Sequence, residues 1–178
     1  MPSTPEIAFQ RDGRGFRLTL EQVVPRVRED IFPFFSDASN LEDITPPHLR
    51  FRILTPTPIE MKPGAVIDYQ LRLYGAPIRW RTLISAWEPP YRFVDEQIRG
   101  PYRWWIHEHV FEPHGTNGEH TLCRDTVRYG VFGGRLMDRA FIQRDLRKIF
   151  SYRARRLAEL LPATADARDA AEASDSAA

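Results

Sequence analysis

Two histidines two positions apart, His107 and His109, stand in the segment RWWIHEHVFEP over residues 103–113. Side chains alternate between the two faces of a β-strand, so both imidazoles share one face with Trp105. Imidazoles placed in this way can bind a transition-metal ion, or they can supply polar groups to the wall of a pocket. Glu108 lies between them in the sequence and points to the opposite face, so it cannot complete a site with the pair.

A metal site would need further ligands beyond the histidine pair. His120, near the start of the next strand, and the carboxylates Asp95 and Asp125 are the candidates. A cupin-type pattern requires a glutamate on the same strand face and a later histidine. Glu112 lies on the Glu108 face instead, and no histidine follows His120. We therefore expect no metal and no cofactor.

The favoured interpretation makes His107 and His109 the polar groups of a mostly apolar pocket wall. In one alternative, neighbouring Tyr, Thr or Asp side chains satisfy both rings, and no ligand touches them. In another, Asp95 and a histidine act as general acid and base, as in an aldol-type cyclisation or a dehydration. No G-x-S-x-G nucleophile motif accompanies them in the sequence.

Alternating apolar residues predict seven strands that must position these side chains. The first covers residues 16–24, and two short helices follow it within 27–37 and 40–47. The other strands, separated by turn sequences rich in Gly and Pro, cover residues 51–54, 65–74, 78–87, 92–98, 103–111 and 121–131. This spacing is typical of a meander of antiparallel hairpins.

The apolar spacing becomes helical from Gly134 onward. Ile142, Leu146 and Phe150 begin a stripe that predicts one long amphipathic helix ending near Pro162. The expected fold class is α+β, with a curved seven-stranded antiparallel sheet wrapped around this helix. A sheet that curls around one helix leaves a cavity where side chains do not fill the space.

The length of 178 residues suits one domain, which we place at residues 16–161. Residues 1–15 lack periodicity and are expected to form a flexible arm, and residues 162–178 a disordered acidic and Ala-rich tail. The single cysteine, Cys123, excludes an intramolecular disulfide. No stretch approaches the length of about 20 apolar residues that spans a bilayer, and the amino terminus lacks a signal-peptide core. We therefore expect a cytoplasmic protein without a transmembrane segment.

The same alternation selects companions for the histidines on neighbouring strands. Trp80 and Thr82 should face inward because Arg79 and Arg81 occupy the other face of their strand. Near the start of the long helix, flexible Met and flat Phe side chains suit a cavity mouth. The expected ligand-binding residues are Tyr69, Leu71, Trp80, Thr82, Ile84, Trp105, His107, His109, Phe111, Tyr129, Met137 and Phe141.

The outward face of the histidine strand is unusually apolar, since it carries Trp104, Ile106 and Val110. An exposed apolar patch usually contacts a partner, so a homodimer through this face is a hypothesis. The alternative is that one of the terminal arms covers the patch.

The long helix is basic, with eight Lys or Arg and two Asp between Arg135 and Arg156. Such a run is usually a solvated helix face, and the interleaved aromatic residues of single-strand binders are missing from it. The net charge of the chain is only +1. We therefore do not expect nucleic acid as a partner.

Three stretches, LEDITPPHLRFRI, the segment from Ile78 to Pro113, and the closing helix, resemble the START/Bet v 1-like superfamily, also called SRPBCC or polyketide cyclase/dehydrase-like. They are most similar to a bacterial subgroup whose function is poorly defined. The resemblance implies a helix-grip fold that encloses an apolar pocket. In the register that it implies, Asp95 and Gln97 also point inward, so Gln97 joins the expected ligand-binding set.

The resemblance implies binding or transport of a hydrophobic or amphipathic small molecule, such as a lipid, a quinone or a polyketide-like compound. One alternative is an aromatase/cyclase- or dehydratase-like enzyme that uses Asp95 with His107 or His109. Another is a protein-interaction module with a vestigial pocket. A fold of this kind does not by itself decide between them.

Overall fold

The computed structural model describes residues 5–163. Its eight strands are β1 (Glu6–Asp12), β2 (Gly15–Val24), β3 (Arg52–Ile53), β4 (Val66–Leu73), β5 (Ala76–Glu88), β6 (Arg92–Arg99), β7 (Trp104–His114) and β8 (His120–Gly130). They form one antiparallel sheet in the order β1-β2-β8-β7-β6-β5-β4-β3. The meander from β3 to β8 and the return to β2 place the histidine strand, β7, near the middle of the sheet.

The helical segments lie after β2 and after β8. They are α1 (Arg28–Ser36), 3₁₀ turns at Ala38–Leu41 and Pro47–Leu49, α2 (Gly134–Met137), a π-helical turn (Asp138–Ile142) and α3 (Gln143–Leu160). The last three form one continuous helical segment. The sheet wraps around it, and the buried face of α3 joins the sheet core through Leu146, Phe150 and Ala154. The predicted α+β helix-grip architecture is confirmed.

The strand count is eight and not the expected seven. The additional strand, β1, occupies residues that the sequence analysis assigned to a flexible arm. It pairs along its whole length with β2, and Ile7 is buried opposite Leu20. One buried apolar side chain is too weak a periodic signal to predict a strand, and the pairing depends on the edge that β2 offers. The predicted tail lies, apart from residues 162 and 163, outside the described residues.

Strand β7 has the predicted two faces. Its inward residues Trp105, His107, His109 and Phe111 are buried, whereas the outward ones between them are half-buried. The outward Trp104 side chain packs against Gly15 and Gly130, since a Cβ atom would lie 2.4 Å from its ring at Gly15 and 2.3 Å from its indole nitrogen at Gly130. Part of the outer apolar face is therefore covered by the sheet itself. The homodimer through Trp104, Ile106 and Val110 stays a prediction.

A buried hydrogen-bonded group ties the π-helical turn to β8. Asp138 is 0% exposed. The Tyr129 hydroxyl donates to Asp138 Oδ1 at 2.8 Å, and Gln143 Nε2 donates to Asp138 Oδ2 at 2.6 Å. Both carboxyl oxygens thus have partners, as burial of the group requires. This contact fixes where the long helical segment begins on the sheet.

None of the helices in residues 5–163 combines the length and the apolar character needed to cross a membrane.

The Tyr129–Asp138 contact yields a stability prediction. The change Tyr129→Phe removes a buried donor and leaves one carboxyl oxygen without a partner, so the free energy of unfolding should fall by about 1–3 kcal/mol. Denaturant unfolding followed by circular dichroism measures it. The matched control is Tyr91→Phe, because the Tyr91 side chain is 55% exposed; its midpoint should not change. Equal midpoints for Tyr129→Phe and the wild type would contradict the proposed anchor.

Candidate functional site

A cavity of about 200 Å³ lies between the sheet and the helical segments. Strands β4 to β7 supply lining side chains on the sheet side, and α3 supplies Leu146, Ile149, Phe150 and Arg153. The 3₁₀ turns and α1 also contribute. Most lining side chains are apolar or aromatic, so a water molecule inside the cavity would find few hydrogen-bond partners.

Eight of the expected ligand-binding residues line this cavity. They reach it from three strands, because alternation places every second side chain of each strand on the inner face. These residues are Tyr69, Leu71, Trp80, Thr82, Ile84, Trp105, His107 and His109. The Tyr69 hydroxyl lies 3.0 Å from Thr82 Oγ1 and forms a hydrogen bond with it.

Two further expected residues on the strands have structural roles away from the cavity. Gln97 closes the loop between β6 and β7, since its Nε2 donates to the Tyr102 carbonyl at 2.9 Å and its Oε1 accepts from the Tyr102 amide at 3.3 Å. Phe111 packs against α1, where its ring centroid lies 4.8 Å from that of Phe35. In both cases the side chain faces inward as predicted, but it contacts another segment of the chain and not the cavity.

The remaining expected residues lie around the π-helical turn. The Tyr129 hydroxyl donates a hydrogen bond to Asp138, which belongs to this turn. Met137 and Phe141 are 41% and 52% exposed and do not line the cavity. Burial of Asp138 rotates the turn so that these two apolar side chains point toward solvent. The expected cavity mouth at Met137 and Phe141 is therefore corrected.

The sequence analysis did not name the lining residues that come from the helical segments. Phe34, Leu41 and Leu49 reach the cavity from α1 and the 3₁₀ turns. Apolar periodicity in short helices shows which residues are buried, but not which part of the interior they meet. Arg153 lies three residues after Phe150 and so continues the stripe of Ile142, Leu146 and Phe150, and this spacing is the signal in the sequence that it faces inward.

Five polar side chains, Asp95, His107, His109, Asp125 and Arg153, meet beside the cavity, and we call them the polar cluster. The strand register brings four of them together. Asp95 on β6 is paired with His107 on β7, and Asp125 on β8 is paired with His109. Arg153 arrives from α3, with a side chain that is 12% exposed. The histidine pair thus lies between two carboxylates from its two neighbouring strands.

Asp95 meets both rings with one oxygen. Its Oδ2 lies 3.2 Å from His109 Nε2 and 3.6 Å from His107 Nδ1. The enzymatic alternative requires a carboxylate in contact with a histidine, and the structure places these groups in that arrangement. Whether they catalyse a reaction stays a prediction.

Asp125 meets the other nitrogen of each ring. Its Oδ1 lies 2.7 Å from His109 Nδ1 and 3.3 Å from His107 Nε2, and His107 Nε2 has no hydrogen-bond partner in the described part of the chain. Its second oxygen, Oδ2, lies 3.6 Å from Arg153 Nε. The Phe93 ring stacks on His109 with centroids 4.1 Å apart. Contacts on both edges and one face therefore fix the orientation of the His109 ring.

Burial and neighbouring charge act differently on the two rings. For His107, loss of water and the nearby His109 hold the pKa below its usual value and favour the neutral ring. Burial opposes the charge on His109 as well, but the Asp125 carboxylate and hydrogen bonds to Asp125 and Asp95 outweigh it and raise the pKa. Asp125 is also buried, yet Arg153 and His109 lower its pKa well below its usual range.

Metal-ligand spacing is present in part of the cluster. One ligand atom each from Asp95, His107 and His109 lie within 4.8 Å of one another. His120, the third histidine considered from the sequence, is paired with His114 at the far end of β7 and β8 and does not join this group. Glu108 lies on the outward face, as predicted, where its Oε1 accepts a hydrogen bond from Arg92 Nε.

No family model and no curated protein sequence matches the chain. Solved structures do. A protein from Mycobacterium smegmatis has 15% identity and a TM-score of 0.63, covering 88% of this chain and 98% of its own. A protein from Chromobacterium violaceum has 14% identity and a TM-score of 0.63, covering 83% of this chain and 99% of its own.

The major latex-like protein 151 of Panax ginseng matches with 12% identity and a TM-score of 0.61, covering 84% of this chain and 99% of its own. The fold is Bet v 1-like. The Bet v 1-like fold expected from the sequence resemblance is thus confirmed, although these identities establish the fold and not the function.

The polar cluster yields a second stability prediction. Asp125→Asn removes the negative charge beside His109 and Arg153 and leaves the largely buried Arg153 guanidinium without a carboxylate, so the free energy of unfolding should fall by about 3 kcal/mol. Thermal and denaturant unfolding measure this change. The control is Asp68→Asn, which breaks the exposed pair with Arg81 and should have a much smaller effect. Equal losses in both variants would show that the cluster is not a coupled buried network.

Proposed function

We propose that the protein binds a hydrophobic or amphipathic small molecule in the cavity between the sheet and α3. The observation that carries this proposal is the composition of the cavity wall. An apolar enclosure meets a compact polar cluster on one side, and ligand pockets commonly combine apolar walls with a few placed polar groups. Lipids, isoprenoid quinones and polyketide-like compounds have the matching division into an apolar body and a polar end.

The size of the cavity favours a compact ligand. Its volume of about 200 Å³ is below the range of roughly 300–1,000 Å³ that is usual for ligand pockets. A single ring system or a short acyl chain suits this space better than a long isoprenoid chain. Burial of about 200 Å² of apolar ligand surface would contribute roughly 5 kcal/mol before the costs of ordering.

Unsatisfied donors in the wall favour a ligand that carries oxygen acceptors. Within residues 5–163, Trp80 Nε1 and Arg153 Nε are buried without a hydrogen-bond partner, and both residues line the cavity. A buried donor without an acceptor costs about 1–3 kcal/mol. A carbonyl, hydroxyl or carboxylate oxygen of the ligand would recover part of that cost. We therefore infer that the polar end of the ligand lies between Trp80 and the polar cluster.

Native mass spectrometry of the protein as purified tests for a bound molecule. We expect a mass higher than that of the polypeptide alone, and this excess mass should disappear on denaturation. Organic extraction of the protein should yield the apolar compound. A bare polypeptide mass, together with failure to bind the fluorescent apolar probe N-phenyl-1-naphthylamine, would contradict the proposal and favour an interaction module with a vestigial pocket.

Substitution in the wall tests the location. Leu71→Trp places an indole in the cavity and should weaken N-phenyl-1-naphthylamine binding by about tenfold or more, since it removes the space that the probe's apolar surface needs. The matched control is Arg72→Trp, which adds the same ring one residue along β4, on the exposed face. Its affinity should equal that of the wild type.

Circular dichroism and thermal unfolding would show that both tryptophan variants are folded. If Leu71→Trp folds and binds the probe as tightly as the control does, the cavity is not the binding site.

A further inference from the structure

Three atoms of the polar cluster have the mutual spacing of ligands around one metal ion. They are Asp95 Oδ2, His107 Nδ1 and His109 Nε2. The carboxylate oxygen lies 3.6 Å from the first nitrogen and 3.2 Å from the second, and the three residues each offer a ligand atom within 4.8 Å of the others. Ligands bound at 2.0–2.1 Å to a tetrahedral ion are about 3.4 Å apart. A small closing of the two rings would complete the arrangement.

The opposite nitrogens of the two rings share a second carboxylate. Asp125 Oδ1 lies 2.7 Å from His109 Nδ1 and 3.3 Å from His107 Nε2. Metal-binding histidines usually donate their other ring N–H to a carboxylate, which fixes the ring orientation and makes the ligating nitrogen more basic. Asp125 is within reach of His109 Nδ1 in this way and lies close to His107 Nε2, which has no other partner among the described residues, and Arg153 balances its charge at 3.6 Å.

The three proposed ligands lie on two adjacent, hydrogen-bonded strands of the sheet. His107 and His109 lie two residues apart on β7, and Asp95 lies on the adjacent β6, in register with His107. Neighbouring strands keep these side chains close in the absence of an ion, so binding needs little ordering of the chain. Both histidines are buried, at 6% and 3% exposure, which keeps water from competing freely for the site.

We propose that Asp95, His107 and His109 bind one divalent transition-metal ion, such as Zn²⁺, at the wall of the cavity. Two imidazoles and one carboxylate suit Zn²⁺ or Fe²⁺ rather than the oxygen-preferring Mg²⁺ or Ca²⁺. All three residues line the cavity, so the remaining coordination positions face it. An oxygen of a bound organic molecule, or a water, would fill those positions.

The inference stands apart from the proposed function, since a metal ion can bind whether or not an organic ligand fills the cavity. It also revises the expectation of no metal. From the sequence, Asp95 was a candidate ligand, but the cupin-type glutamate and a later histidine were missing; in the structure Asp95 lies beside both rings. The ion and the Asp95–His109 hydrogen bond use the same two atoms, so only one of them forms at a time.

Calorimetric titration of Zn²⁺ into the EDTA-treated, dialysed full-length protein tests the proposal. We expect one ion per chain with micromolar or tighter affinity. His107→Gln and Asp95→Asn should each weaken it by about 100-fold or more, and Asp125→Asn by about 10–100-fold. The double variant His114→Gln/His120→Gln is the control, because these two histidines face each other across β7 and β8 and offer an adventitious site. The control should bind as the wild type does.

Pulsed EPR of the Cu²⁺-loaded His114→Gln/His120→Gln control, which retains the proposed site, should show two coordinated imidazoles. Zn²⁺ should also raise the melting temperature of the wild type but not that of His107→Gln. Failure of the wild type to bind Zn²⁺ at micromolar concentration would overturn the proposal, as would loss of binding in the His114→Gln/His120→Gln control. N-phenyl-1-naphthylamine binding, measured on the same EDTA-treated sample, reports separately on the proposed function.

Discussion

Two histidines lie in the interior of this protein because a carboxylate from each neighbouring strand meets their ring nitrogens. An isolated buried charge would cost far more than the fold could offset, and a buried neutral ring without partners would also be unfavourable. Asp95 and Asp125 meet this need for His109 and lie within 3.6 Å and 3.3 Å of the His107 nitrogens. They are joined by Arg153, which balances Asp125. The position of α3 on the sheet and the polarity of one cavity wall both follow from this group of contacts.

The surrounding architecture separates the polar cluster from the apolar remainder of the cavity. The aromatic side chains Trp80, Trp105 and Phe150 line the space next to His107, while Phe93 stacks on His109. In such an environment charges interact more strongly than they do in water. A ligand or an ion that enters therefore meets a site whose hydrogen-bonding groups already hold their orientation.

Much of this site could be predicted from alternation along single strands. The inward faces of β4, β5 and β7 were assigned correctly, which placed Tyr69, Thr82 and both histidines on the cavity wall. Alternation could not show that Gln97 would close a loop or that α1 would cover Phe111, because both outcomes depend on segments distant in the sequence. Met137 and Phe141 failed for a similar reason, since the buried Asp138 sets the rotation of the turn that carries them.

The sequence by itself determined the succession of strands and helices from β2 onward and the face on which residues of β4, β5 and β7 lie, because both depend on periodicity within one segment. It also determined that Glu108 could not join the histidines. Only the tertiary structure decided that β1 would pair with β2 and that Arg153 would reach Asp125. It likewise decided that Asp95 and Asp125 would contact opposite edges of the same two rings. Those outcomes depend on cross-strand register and helix rotation, which packing between distant residues sets.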